Sequence, residues 1–181
     1  DKVDNVMHEA ILAIKNLGAI IVDPADLPSH GKYDDTELEV LLYEFKADIN
    51  TYLKTRNLTC KSLADLIKFN IANKVEEMPY FGQELFVMAE AKGPLSEKKY
   101  RDALAKNHKL SRNEGIDDVM DKHQLDAIIA PTGGPAWTTD LINGDHFSGG
   151  SSTPAAVSGY PAITVPAGFV RGLPVGITFF G

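Results

Sequence analysis

The stretch "GYPAITVPAGFVRGLPVGITFFG", Gly159–Gly181, decides the fold. It predicts one half-buried strand, a glycine-rich reversal and a second, apolar strand. The sequence stops on that second strand, where an uncovered apolar strand leaves both a sheet edge and a hydrophobic face unfinished. The other end has the same character: Asp1 is no initiator methionine, and an amphipathic helix is already under way by Val3. The reading is therefore of a single domain over residues 1–181 that is truncated at both ends.

Working back from the closing strands, Ser152 or Thr153 is expected to cap a short helix with Pro154 near its first position, and Gly159 to end it. Before that helix, "LDAIIAPT" (125–132) reads as a buried strand closed by Pro131. At the start of the chain, Val3, Val6, Met7, Ala10, Ile11, Ile14 and Leu17 recur at helical spacing, with Gly18 placed as the stop. A short apolar strand, Ala19–Val22, follows and ends at Asp23-Pro24. Helix followed directly by strand thus occurs twice, which predicts an α/β fold with a mixed β-sheet flanked by helices.

Helices fill the middle of the chain. Thr36 with Glu39 has the spacing of a capping box, and Leu38, Leu41, Leu42, Phe45, Ile49, Tyr52 and Leu53 form the apolar stripe expected behind it. Ser62 with Asp65 opens a shorter helix whose apolar side is Leu63, Leu66 and Ile67. Between Ser96 and His123 the sequence favours one kinked helix or two, with Gly115 as the break and Tyr100, Leu104, Ile116, Val119 and Met120 as buried candidates.

Composition sets outer bounds on function. With 44% hydrophobic and 24% charged residues the chain can bury a core, and a net charge of −7 without long basic runs argues against nucleic acid or an anionic membrane as partner. Cys60 stands alone, so no intrachain disulfide or paired-cysteine metal site is available, in keeping with a reducing, cytoplasmic setting. The apolar runs fall far short of the roughly 20 residues of a membrane span. His8, His30, His108, His123 and His146 show no metal-binding spacing, and neither metal nor cofactor is expected. His123 suits the end of a helix, where the dipole favours a cation.

The irregular segment from Gly133 to Ser152 is the strongest candidate for a functional loop, since a loop of that length inside a compact domain is usually functional or disordered. "SGGSS" (148–152) could expose backbone N–H groups to a phosphate or an oxyanion, but it matches neither a P-loop nor a nucleophile elbow, and a flexible approach to a helix cap explains it better. Asp145-His146 could form an acid/base pair; a solvated loop is the plainer reading. The paired carboxylates at Asp34-Asp35, Glu76-Glu77 and Asp117-Asp118 suit helix starts and solvated faces. "YFGQELF" (80–86) either floors a cleft with Phe81 and Phe86 or packs in a core with one satisfied polar pair.

Taken together, "FGQELFVMAEAKGPLS" (81–96), "LDAIIAPT" (125–132) and "STPAAVSGYPAITVPAGFVRGLPVGITFFG" (152–181) resemble the C-terminal part of amidase signature enzymes. The last segment carries most of the resemblance: a small-residue helix, then Gly-Tyr-Pro-Ala-Ile-Thr-Val-Pro-Ala-Gly, then Gly-Leu-Pro-Val-Gly-Ile. The resemblance implies an amidohydrolase in which a serine attacks a carboxamide carbonyl and an acyl-enzyme forms. It further implies a lysine base whose pKa is depressed by its surroundings, a second serine relaying the proton, and backbone N–H groups holding the oxyanion. No position of this chain matches those serines or that lysine, which the family order places upstream of Asp1. "GGSS" (149–152) copies only their spelling.

The resemblance therefore implies scaffold and substrate-cleft wall, with a small-molecule amide as the ligand of the intact protein and Trp137 and Phe147 as wall residues. Alternatives are a non-enzymatic interaction module with an amidase-like sheet, one component of a glutamyl-tRNA amidotransferase, and a phosphate binder using 148–153. A second copy of the chain is expected to shelter the open sheet edges.

Overall fold

The computed structural model describes residues 2–181. In chain order its elements are α1 (Lys2–Asn16), α2 (Asp34–Lys54), α3 (Leu63–Ala72), α4 (Lys74–Glu77), α5 (Glu84–Glu90) and α6 (Lys98–His108). A π-helical stretch (Lys109–Ile116), α7 (Asp117–His123), β1 (Ile128–Pro131), α8 (Ser152–Ser158), β2 (Ala162–Val170) and β3 (Leu173–Phe180) complete it. These elements form two units, one from the residues up to 32 together with 108–181, the other from 33–107. No helix among the described residues is long and apolar enough to cross a membrane.

The sheet belongs to the first unit. β2 and β3 form the hairpin expected from 159–181, joined through Arg171 and Gly172, both at positive φ (53° and 81°) as a tight hairpin turn requires. β1 pairs with the other side of β3, giving the order β1-β3-β2. The α/β class holds, but both ladders are antiparallel: β3 lies between β1 and β2, so the two strands that run the same way never become neighbours. The register shifts between Pro166 and Gly168. A Cβ on Gly168 would come 2.8 Å from Val6 Cγ1, so the missing side chain lets α1 approach the hairpin there.

Ala19–Val22 is not a strand, contrary to the sequence expectation, and Ile20 is 91% exposed. An extended run becomes a strand only when a neighbour completes its ladder, and neither outer strand of the sheet pairs with it. The helix before it ends as predicted, with Gly18 at φ 103°. The core of this unit gathers Ile116, Val119, Ile128, Ala155 and Phe180, with Met120 and Leu125 packed against them.

Two further corrections concern helix ends in this unit. Neither Ser152 nor Thr153 caps α8: the cap position is Ser151, without a side-chain cap bond, and Pro154 is the third helical residue. The first-turn N–H groups have no intrahelical partner, so proline fits there as well as at the first position. Gly159 does end the helix, at φ 75°. The break expected at Gly115 is a π-helical stretch distorted at Glu114 (φ −101°, ψ 15°). A Cβ on Gly115 would lie 2.6 Å from the Leu110 carbonyl oxygen, to which Ser29 Oγ donates at 2.6 Å.

In the second unit α2 starts earlier than the capping box predicted. Tyr33 is its cap residue, Thr36 Oγ1 donates to the Tyr33 carbonyl, and Glu39 pairs instead with Lys92 (2.8 Å) and Lys99 (2.9 Å). The hydrogen bonds from these two lysines hold the Glu39 carboxyl below the ordinary range. The buried side is turned accordingly: Val40 and Tyr43 pack on Tyr100 and Ala103, and Leu42 packs on Leu63 and Ala89. Leu38, Leu41, Phe45 and Tyr52 are left on the exposed side.

α3 begins as expected, Ser62 Oγ accepting from the Asp65 N–H at 3.2 Å. Tyr43 Oη donates to Glu97 at 2.5 Å and Tyr100 Oη to Glu44 at 2.8 Å. The Glu97 hydrogen bond pushes the Tyr43 hydroxyl up to about 12, and burial, reinforced by Glu44, does the same for Tyr100. "YFGQELF" fits neither alternative in full: Phe86 packs against the Leu42, Leu63 and Ala89 cluster, Gln83 accepts from Asn70 Nδ2 and donates to the Ile67 carbonyl, and Tyr80, Phe81 and Leu85 are exposed.

Candidate functional site

The site is built where β1 gives way to the glycine-rich loop. Thr132 N–H donates to the Gly176 carbonyl at 2.9 Å, Ser151 N–H donates to the Thr132 carbonyl at 3.3 Å, and an isolated bridge joins Gly133 to Gly150. The segment is therefore a loop with a closed stem. A Cβ on Gly150 would stand 3.3 Å from the Thr132 carbonyl oxygen, so the two chains meet at a distance that favours glycine. Beside the stem lies a cleft of about 540 Å³. Its walls include the backbone of Gly133, Gly134 and Gly150, the apolar Ile129, and the polar side chains of Asp26 and His30.

Two carboxylates organise the rest of the loop. Asp140 Oδ1 accepts from the backbone N–H groups of Ile142 (2.9 Å) and Asn143 (2.8 Å), Oδ2 accepts from Asn143 Nδ2 (2.9 Å), and His146 Nε2 lies 3.6 Å from Oδ2. The hydrogen bonds from Asn143, followed by that from Ile142, bring the Asp140 carboxyl down to about 2. Asp145 Oδ1 accepts from the Trp137 indole N–H at 3.0 Å. Asp145 and His146 thus serve different partners and form no acid/base dyad.

Trp137 and Phe147, the wall residues predicted from sequence, meet edge to face with ring centres 6.2 Å apart. Neither is buried, and neither is among the residues that line the two cavities: Trp137 is 42% exposed and Phe147 70%. Phe147 Cζ lies 3.9 Å from where a Cβ on Gly150 would stand, which sets this ring beside a glycine of the cleft wall.

Sequence reasoning missed a second polar feature. Thr178 Oγ1 is hydrogen-bonded to Thr132 Oγ1 (2.8 Å) and to Thr164 Oγ1 (2.9 Å), a hydroxyl chain that crosses the sheet and lines a second cavity of about 440 Å³. Its signal was the register of the hairpin, which sets Thr164 opposite Thr178. Ser151 borders both cavities, and its hydroxyl is enclosed without a hydrogen-bond partner.

Comparison with known proteins gives this geometry a family. A structure of the peptide amidase PAM with the competitive inhibitor chymostatin superposes with a TM-score of 0.92 at 43% identity, covering 98% of this chain and 36% of that one. A probable amidase of Arabidopsis thaliana is 35% identical over 99% of this chain and 33% of its own length. A glutamyl-tRNA(Gln) amidotransferase subunit of Clostridium kluyveri is 28% identical over 98% of this chain and 36% of its own length. The chain thus spans about a third of the length of these relatives. The Amidase family profile matches residues 1–181, the full extent of the sequence, and the chain belongs to that family.

Proposed function

We propose that this chain supplies scaffold and part of the substrate-cleft wall of an amidohydrolase that cleaves a carboxamide C–N bond through a serine acyl-enzyme. The serine pair and the lysine base would come from polypeptide outside these residues. The observation that carries the reading is the closed-stem loop, which puts Phe147, with Trp137 against it, next to Gly150 at the edge of a cleft large enough for a small organic amide. Backbone approaches the ligand through Gly133, Gly134 and Gly150, and the aromatic pair beyond Gly150 would extend that wall toward the acyl side of the amide. Ser151 is a poor nucleophile in this setting, because its hydroxyl is hydrogen-bonded to no base. The likeness to a peptide amidase makes peptide amides the first substrates to test.

The test is ammonia release from a peptide amide by the full-length protein, with the 181-residue chain assayed beside it. Turnover by the full-length protein alone is expected, together with an altered KM for bulky amides in Trp137→Ala. Amide turnover by the 181-residue chain, abolished by replacing one of its own serines, would overturn the assignment of the catalytic groups. Release that occurs only from glutamine, and only with partner proteins present, would favour the amidotransferase reading suggested by the 28% identity to the Clostridium kluyveri protein.

A further inference from the structure

We propose that Asp145 is a positioning residue: by holding the Trp137 indole it fixes the Trp137–Phe147 pair as a wall that selects amides carrying an aromatic or bulky apolar acyl group. This rests on the amidohydrolase reading above. An indole has one polar atom, a donor, so a single acceptor both satisfies it and sets the direction of the ring. Asp145 Oδ1 provides that acceptor at 3.0 Å. The ring so directed meets Phe147 at an interplanar angle of 63°, and Phe147 in turn lies beside Gly150 of the cleft wall.

The turn between the two aromatics is tied by Asp140, whereas Asp145 ties only the indole. Asp140 binds the backbone of Ile142 and Asn143 and lies near His146, so residues 140–146 keep their turn when the Asp145 side chain is changed. With Trp137 and Phe147 this exposed, the Asp145 contact contributes little to folding and acts instead on where the indole points. A carboxylate that matters for orientation should leave a signature in substrate choice and none in thermal stability.

The experiment uses the full-length enzyme and two probes, phenylalaninamide and propionamide. Asp145→Leu is expected to raise KM for phenylalaninamide about tenfold, the size of one lost aromatic contact, with kcat nearly unchanged. Propionamide, too small to reach the wall, should be hydrolysed as before, and Tm should not move. Asp145→Asn keeps an acceptor oxygen and should restore wild-type behaviour. Trp137→Phe keeps a ring but removes the donor and should match Asp145→Leu, and combining the two should cost no more than either alone. Equal effects on both amides, or an Asp145→Asn variant as impaired as Asp145→Leu, would overturn the inference. A wild-type enzyme that hydrolyses neither amide would overturn the functional reading, and the inference with it.

Discussion

The β2–β3 hairpin and the loop from Gly133 to Gly150 are both rich in glycine, and the glycines do different work. In the hairpin, Gly172 supplies the positive φ of the turn, and Gly168 and Gly176 clear space for neighbours that press against the backbone. Order there is carried by the ladder itself, whose hydrogen bonds do not depend on which side chains are present. In the loop, Gly144 and Gly149 also have positive φ, but a side chain on either would meet nothing within 4 Å. Order in that region comes from Asp140 and Asp145 reaching back to nearby donors. A ladder resists change, whereas a loop tied by side chains can be retuned residue by residue, which suits the substrate-facing role proposed for it.

The sharpest way to break this contrast is to put a side chain where the hairpin has none. A Cβ at Gly176 would lie 2.7 Å from Thr164 Cγ2, 2.8 Å from Thr132 Oγ1 and 3.1 Å from the Val165 carbonyl oxygen, so it would intrude on the hydroxyl chain and on the neighbouring strand together. Gly176→Val should destabilise the protein by about 3 kcal/mol in urea unfolding, the upper range for overpacking a core. Gly133→Ala, at the loop stem, would bring its Cβ to 3.4 Å from the Gly149 carbonyl oxygen, an ordinary contact, and should change stability by less than about 0.5 kcal/mol. Equal losses would mean that the stem is packed as tightly as the sheet.

A second comparison holds the backbone strain constant and changes only the region. Gly172 (φ 81°) and Gly144 (φ 83°) have nearly the same left-handed backbone, and both stand in open space. Alanine at either position carries a local penalty of about 1 kcal/mol. In Gly172→Ala that penalty should appear in full in the global unfolding free energy, because the turn is part of the ladder. In Gly144→Ala it should be relieved by local opening and appear as faster amide hydrogen exchange between 140 and 147, with little change in the global transition. Identical global shifts would show that the loop unfolds together with the sheet.

The same distinction governs what could be read from the sequence. The hairpin was legible because a glycine reversal and strand-forming residues on both sides of it agreed between Gly159 and Gly181, although β2 is exposed along most of its length rather than half-buried. Ser62 was legible as a cap because that bond is local, reaching only to Asp65. The capping box at Thr36 failed because Glu39 found stronger partners at Lys92 and Lys99, far away in sequence, which no local pattern reports. The Ala19–Val22 strand failed for a related reason, since strand formation depends on a neighbour rather than on the run itself. In the candidate site, Trp137 and Phe147 stood out by composition, whereas the carboxylates that hold the loop did not: aspartates in a loop look alike until their donors are known.

The smallest effect expected is also the one that tests most directly whether the loop is tied at all. Hydrogen bonds from Asn143 and Ile142 to Asp140 favour its charged form and lower its pKa to about 2. In a chain without those bonds the same carboxyl would titrate near the ordinary aspartate value of about 3.9. The order contributed by Asp140 is therefore fully present above the unfolded value and is lost as pH falls toward about 2. Following the Asp140 Cγ chemical shift against pH should give a midpoint near 2, with the Ile142 and Asn143 amide resonances moving in the same step. A midpoint close to about 4, with those amides unmoved, would mean that the carboxylate does not hold the turn, and the loop would then differ from the hairpin in having no internal support at that position.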